Sequence, residues 1–202
     1  IAGSLPSQKG TYIADERDNK VIEKDFHDQA ELLKPFIDFF YLDVISSSKE
    51  INIATNVLKK MNLPILVGLH VSRNGKLPSN ESITEAVKKN RDQNWIGIIL
   101  ACVSPEIIED SIDEINKLNI PFGFKANLWK IDPLSADEIK KKNKSYSVNE
   151  GINPNIVLGK RENYTPKIFY HFSKKMKKKG ATILGGCCET NCSHIKEISK
   201  LK

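Results

Sequence analysis

Cysteine is scarce in this sequence: four among 202 residues, at Cys102, Cys187, Cys188 and Cys192. In a lysine-rich chain whose opening Ile1-Ala2-Gly3-Ser4-Leu5-Pro6 lacks the basic start and cleavage pattern of a secretory signal, so few thiols argue against a disulfide framework. Free or metal-bound thiols in a reducing cytoplasm are expected instead. Long apolar runs are missing too, and Trp95 to Val103, the longest, is too short and too flanked by charge to span a bilayer. Aromatic residues make up 7% of the chain, and none interleave with Lys140-Lys141-Lys142, Lys144, Lys174-Lys175 or Lys177-Lys178-Lys179. Those runs carry most of the formal charge of +6, yet they offer no base-stacking platform. Solvated helix faces are the expectation, with no nucleic acid and no membrane as partner. A separate basic nucleic-acid-binding reading would rest on the lysines alone.

What is present is alternation. Ile1 to Leu5 reads as a strand end and Pro6 to Asn19 as a polar loop. Phe26, Ala30, Leu33 and Ile37 fall at helical spacing within residues 25 to 39, where Pro35 is expected to bend or shorten the helix. A strand follows over Phe39 to Ile45, then a helix opened by Ser47 with Glu50 as a capping box and ended near Asn62. Pro64 to His70 is an apolar strand of the kind buried on both faces. Ile83 to Asn94 reads as helix and Trp95 to Cys102 as strand. Ser104-Pro105 opens a helix that stops at Asn119, and Pro121 to Asn127 is the next strand. A polar insert is expected to hold a short helix capped at Ser135, with Glu138 at the capping position, and an irregular stretch from Ser145 to Asn163. Helix 166 to 179 with Gly180 as its cap, strand Thr182 to Cys188 and helix Ser193 to Leu201 complete the chain. Six strand-then-helix units of this kind argue for a parallel sheet with right-handed crossovers in one domain. They allow a doubly wound sheet, and they equal three quarters of an eight-fold barrel; periodicity alone does not separate the two.

Chemistry concentrates near the end, where Ile183-Leu184 runs into Gly185-Gly186-Cys187-Cys188. Neighbouring residues in a strand point to opposite faces, so both thiols reach one metal only where the backbone leaves the extended form. Gly185 and Gly186 are expected to permit that departure. Cys102 closes another strand, third from last in a barrel, so three sulfurs would converge at the carboxyl ends. Three thiolates with an open fourth position describe a catalytic zinc site. Two alternatives stand beside it: Cys102 as an ordinary buried residue, and a closed knot of Cys187, Cys188, Cys192 and His194. The knot is crowded and matches no common structural-zinc spacing.

Gly185-Gly186-Cys187-Cys188-Glu189-Thr190 followed by Ser193-His194-Ile195 resembles the closing signature of the zinc-dependent homocysteine S-methyltransferase family. Further segments match in order: Ile1 to Pro6 with Ala14-Asp15 resembles that family's third strand, and Leu42-Asp43 through Ser46 and Glu50 its fourth. Pro64 to Leu69 resembles the fifth, Cys102-Val103-Ser104-Pro105-Glu106 the sixth, and Ala126-Asn127 the seventh. The resemblance covers essentially all of residues 1–202, read as one partial homocysteine-binding domain. It implies an α/β (β/α)8 TIM barrel lacking its first two β/α units in this chain, with strands 3 to 8 present and Zn2+ on Cys102, Cys187 and Cys188. The implied reaction moves a methyl group from an onium donor such as S-methylmethionine or betaine, or from a methyl-corrinoid, to homocysteine, giving methionine. Asp43 is implied to pair with the substrate ammonium, and Asn127 to orient polar substrate atoms. Because two strands are absent and the first residue is isoleucine, a fragment of a longer protein is expected.

Several positions depart from the family pattern, and they bear on substrate identity. Asp43 stands where the family carries glutamate, Lys125-Ala126-Asn127 replaces Tyr-Pro-Asn, and Leu128-Trp129 replaces a small polar continuation. Thr190-Asn191-Cys192 stands in place of Thr-x-Pro and adds a fourth thiol. A non-catalytic zinc-binding or thiol-redox protein built on Cys187, Cys188 and Cys192 is the rival reading. Among the histidines, His194 is expected to help start the last helix and His70 to end a strand at the mouth, while His27 and His171 read as helix-surface residues. Nothing in the sequence fixes the oligomeric state.

Overall fold

A computed structural model describes residues 1–133 and 153–202. The expected helix at Ser135 with Glu138 and the lysines at 140 to 144 lie outside the described residues. Among the described residues six strands are parallel throughout: β1 (Ala2–Pro6), β2 (Phe39–Ile45), β3 (Ile65–Leu69), β4 (Trp95–Val103), β5 (Phe122–Ala126) and β6 (Ile183–Gly186). They lie side by side in chain order. A doubly wound sheet reverses its strand order at a switch point, whereas this sheet winds one way only, so it forms a half-barrel. Helices α1 (Asn19–Leu33), α2 (Ser48–Leu58), α3 (Ile83–Asn90), α4 (Pro105–Asn116), α5 (Pro154–Leu158), α6 (Pro166–Lys178) and α7 (Cys192–Ile198) follow or link the strands.

Alternation along each strand sorts the apolar side chains into two layers. Phe40, Leu42, Val67, Ile98 and Leu100 pack outward with residues such as Phe26, Ile51 and Ile108 of the helices. Tyr41, Leu66 and Ile99 face inward, joined by Phe39 and Ile183. Strands covered on both faces have no polar side to show, which is why β3 and β4 read as continuous apolar runs.

Helix boundaries follow capping chemistry more than periodicity. α1 begins at Asn19, six residues before the expected start, because the Asp18 carboxylate accepts the Lys20 N–H. It ends at Leu33 and tightens into a 3-10 turn holding Pro35. At α2 the Ser47 hydroxyl caps the Glu50 N–H, but the Glu50 carboxylate takes the Ser47 hydroxyl and the Asp15 N–H rather than completing a box. A complete box opens α3 instead, between Ser82 and Glu85. That helix stops at Asn90, four residues short of expectation, where the Arg91 guanidinium donates to the carbonyls of Leu118 and Asn119. Asn62 and Asn119 both adopt left-handed φ just past a helix. On α6 the lysines at 174, 175, 177 and 178 are exposed, and Lys175 pairs with Glu109 of α4. The basic run is a solvated face, as its composition suggests.

Candidate metal centre

At the carboxyl ends of the strands, two backbone irregularities decide which side chains face inward. By alternation Cys102 belongs with Ile98 and Leu100 on the helix side of β4. Its φ is +55°, and the β4–β5 register slips between Ala101 and Val103. This bulge turns Cys102 into the mouth beside Ala101, and Val103 returns to the outer layer. Val44 does the same in β2, with φ +57° and a register slip between Leu42 and Ile45. A left-handed φ is costly for a side chain with a Cβ, of order 1–3 kcal/mol, and the packing of the mouth holds both residues there.

The other two sulfurs arrive through a turn rather than through glycine freedom. Neither Gly185 nor Gly186 has left-handed φ; both lie in β6. The chain leaves the extended form after them, at Cys187-Cys188-Glu189, with Glu189 at φ +64°. Cys187 still donates its N–H to the Ala126 carbonyl at 2.7 Å, while the Cys187 carbonyl accepts from the Thr190 N–H and hydroxyl at 3.1 and 2.6 Å. The Cys188 carbonyl takes the Leu128 N–H at 2.9 Å. Gly186 is needed for room: a Cβ there would lie 2.4 Å from the Thr190 hydroxyl oxygen.

Cys102 Sγ and Cys188 Sγ lie 3.6 Å apart, Cys187 Sγ and Cys188 Sγ 3.8 Å, and all three fall within 4.8 Å of one another. Zinc–thiolate bonds of about 2.3 Å at tetrahedral angles separate sulfurs by roughly 3.8 Å. The donor set therefore fits a tetrahedral zinc ion with one position left for another ligand. Cys192 is exposed and outside this group. His194 sits at the third position of α7, bonded to Asn191 and to the Tyr164 carbonyl. His194 thus serves the start of α7, Cys192 stands apart, and the third sulfur beside Cys187 and Cys188 is that of Cys102.

Without a cation three crowded thiols cannot all ionise. Hydrogen bonds from Cys102 and Cys188, with the Lys125 charge nearby, hold the Cys187 thiol well below its ordinary range. Cys188 is pushed up: the Cys102 hydrogen bond favours its thiolate, but the bond to Cys187, burial and the Cys187 charge oppose it more strongly. Cys102 rises for the same reasons, led by its bonds to Cys187 and Cys188. One negative charge settles on the trio, and a dication is what would let the other two protons leave.

Around the sulfurs the wall is specific. Tyr12, from the loop after β1, has φ +68° and donates its hydroxyl to Cys102 Sγ at 3.4 Å. Its ring meets His70 and Trp129 edge-on, at 4.7 and 5.7 Å between centroids. Burial keeps the Tyr12 phenol protonated and holds His70 down near 4, in its neutral form. Asn127 is fully buried; its amide donates to the Cys102 carbonyl at 2.8 Å and its oxygen accepts the Trp129 N–H at 3.3 Å. Asp43 faces inward with both oxygens partnered: Lys125 Nζ at 2.7 and 2.8 Å, the Tyr41 hydroxyl at 2.8 Å and the Ser4 hydroxyl at 3.2 Å. Burial would lower the Lys125 ammonium, but the negative charges of Cys187 and Asp43 outweigh it and hold the group above its ordinary range. Tyr12 is the site residue that sequence reasoning passed over; a lone aromatic inside a polar loop was its signal.

Comparison with known proteins follows the same lines. Homocysteine S-methyltransferase 1 from Brassica oleracea var. italica is 27% identical over 182 residues, covering 88% of this chain and 50% of that protein. The protein of the same name from Arabidopsis thaliana is 27% identical over 214 residues, covering 99% of this chain and 60% of that one. The chain thus spans about half to three fifths of the length of these curated relatives. Among solved structures, the Escherichia coli homocysteine methyltransferase MmuM matches in its apo form with TM-score 0.68 and 12% identity, over 100% of this chain and 62% of that one. Its oxidized form matches with TM-score 0.71 and 14% identity, over 100% and 61%. At such identities the likeness speaks to the fold, a partial barrel of this kind. A family model described as homocysteine S-methyltransferase matches residues 1–201, and the chain belongs to that family.

Proposed function

We propose that this protein transfers a methyl group to the thiol of homocysteine, or of a thiol of its size, at a zinc ion held by Cys102, Cys187 and Cys188. The observation that carries the reading is the trio of sulfurs at tetrahedral zinc spacing in the mouth of the half-barrel. Zinc bound there supplies a fourth position at which an acceptor thiol gives up its proton at neutral pH. The chain's own groups do the rest. The bulge at Cys102 and the turn at Cys187-Cys188-Glu189 aim the three sulfurs at one point. Asn127 is a positioning residue that fixes the Cys102 backbone. Tyr12, His70 and Trp129 form an aromatic rim that limits water at the sulfurs.

In the transfer the acceptor sulfur forms a bond to the methyl carbon. The bond from that carbon to an onium donor, or to the cobalt of a methyl-corrinoid, breaks with its electron pair leaving to the donor. No general base is required once the thiol proton has gone. Free thiols of this kind suit a reducing cytoplasm. No helix among the described residues is long and apolar enough to cross a membrane.

X-ray absorption at the zinc edge, on purified protein with and without homocysteine, tests the reading. Three sulfurs plus one lighter ligand should become four sulfurs when the thiol is added. Zinc whose ligand set ignores both homocysteine and a thiol of its size such as 4-mercaptobutanoate would instead mark a storage or structural site and defeat the proposal.

A further inference from the structure

The mouth contains an ammonium of its own. Lys125 lies on β5, three-quarters buried, with its side chain 23% exposed against 18% for Asp43. Its Nζ reaches both Asp43 oxygens, at 2.7 and 2.8 Å, and lies 5.2 Å from the centre of the Tyr41 ring. Tyr41 and Ser4 take the remaining accepting directions of the same carboxylate. An inward-facing carboxylate beside a thiol-binding centre is the natural partner for a cationic group on the acceptor, and here that partner is built into the chain. Each Asp43 oxygen accepts two bonds, so a second ammonium would have to displace Lys125 or sit against a like charge. Both Asp43 oxygens lie within hydrogen-bond reach of the Lys125 ammonium, and among the described residues no other oxygen accepts from it; with three donors, the group keeps capacity to meet an anion.

We propose that Lys125 is a specificity-determining residue: by filling the Asp43 site it selects an acceptor that carries a carboxylate but no ammonium, a mercaptocarboxylate, over homocysteine. The inference rests on the thiol-acceptor reading above and refines it. Charge sets the preference. The lysine ammonium repels the α-ammonium of an amino-acid thiol and attracts the carboxylate that both classes share.

Calorimetric titration of the zinc-loaded full-length protein with homocysteine and with 4-mercaptobutanoate, which differs by the amino group alone, provides the test. The wild type should bind 4-mercaptobutanoate at least as tightly as homocysteine. Lys125→Met, which uncovers Asp43, should move the affinity ratio about tenfold or more toward homocysteine. Asp43→Asn, which leaves Lys125 unpaired, should move it the other way. Opposite shifts from two neighbouring substitutions are not what general damage to the fold produces, and zinc stoichiometry with thermal melting checks that each variant is folded. Tighter binding of homocysteine by the wild type, or a ratio that Lys125→Met leaves within threefold, overturns the inference while the acceptor reading stands. Zinc-loaded protein that takes neither thiol overturns both.

Discussion

Asn127 illustrates how far a single side chain acts from where its type suggests. A buried carboxamide costs free energy unless both its ends are bonded, and here both ends bond to the protein, one to the carbonyl of Cys102. Asn127→Ala should therefore leave all three sulfurs in place and weaken zinc binding about 10- to 100-fold, the usual scale for groups that orient a metal ligand; competition against a chromophoric chelator would read it. Unchanged zinc affinity would release Asn127 from this role. His70 makes a pH prediction. Its folded value near 4 lies below the ordinary 6.5, so between those values the unfolded chain binds the extra proton and stability falls as pH falls. At about 1.4 kcal/mol per pH unit, the window holds up to about 3 kcal/mol. His70→Asn should flatten the acid limb of a denaturation profile between pH 6.5 and 4; an unchanged slope would place the titration elsewhere. At this scale the identities of Cys102, Cys187 and Cys188 were legible in the sequence. The bond of Asn127 to Cys102, the Lys125–Asp43 pair and the place of Tyr12 were not, because each depends on a partner between 25 and 90 residues away.

The element that matters most is the turn after β6. Strand alternation forbids two adjacent thiols on one side, and the solution is a turn closed by Thr190 on the Cys187 carbonyl, with Gly186 making room for Thr190. Gly186→Ala is expected to cost about 1–3 kcal/mol by overpacking and to lower zinc affinity at least tenfold. Gly185→Ala is the control, since its Cβ would lie 3.5 Å from the nearest atom, the Phe124 carbonyl oxygen. Thermal melting and zinc titration of the pair decide the matter: equal behaviour would mean that the turn yields and the glycine is not a spacer. The double glycine was visible in the sequence, but its role was misassigned to backbone freedom. Composition shows that a glycine is present; only the neighbouring turn shows whether torsion or space requires it. The bulges at Val44 and Cys102 were illegible for a related reason, since nothing in an apolar run marks the residue at which alternation slips.

For the whole molecule, the sheet gathers sulfurs from two strands that are 85 residues apart in the chain at the nearest pair, Cys102 and Cys187. Metal that binds this folded arrangement and not the unfolded chain must stabilise it, by about 4 kcal/mol at a thousandfold excess over the dissociation constant. Zinc should raise the melting temperature of the wild type, a chelator should reverse the rise, and Cys188→Ser should lose the response. A melting temperature indifferent to zinc would contradict a folded three-thiolate site. The sequence by itself determined the six strand-then-helix units, the outer core beneath the helices and the cysteines as the candidate metal ligands. Those follow from periodicity, capping residues and the scarcity of thiols, all local or compositional. Periodicity left the winding of the sheet open and only the family motifs implied a barrel; the tertiary structure decided the winding, the bulge by which Cys102 turns inward, and that an ammonium already occupies Asp43. Those outcomes depend on strand order, a register slip and a charge pair across the mouth, and each is a relation between distant segments that no local pattern encodes.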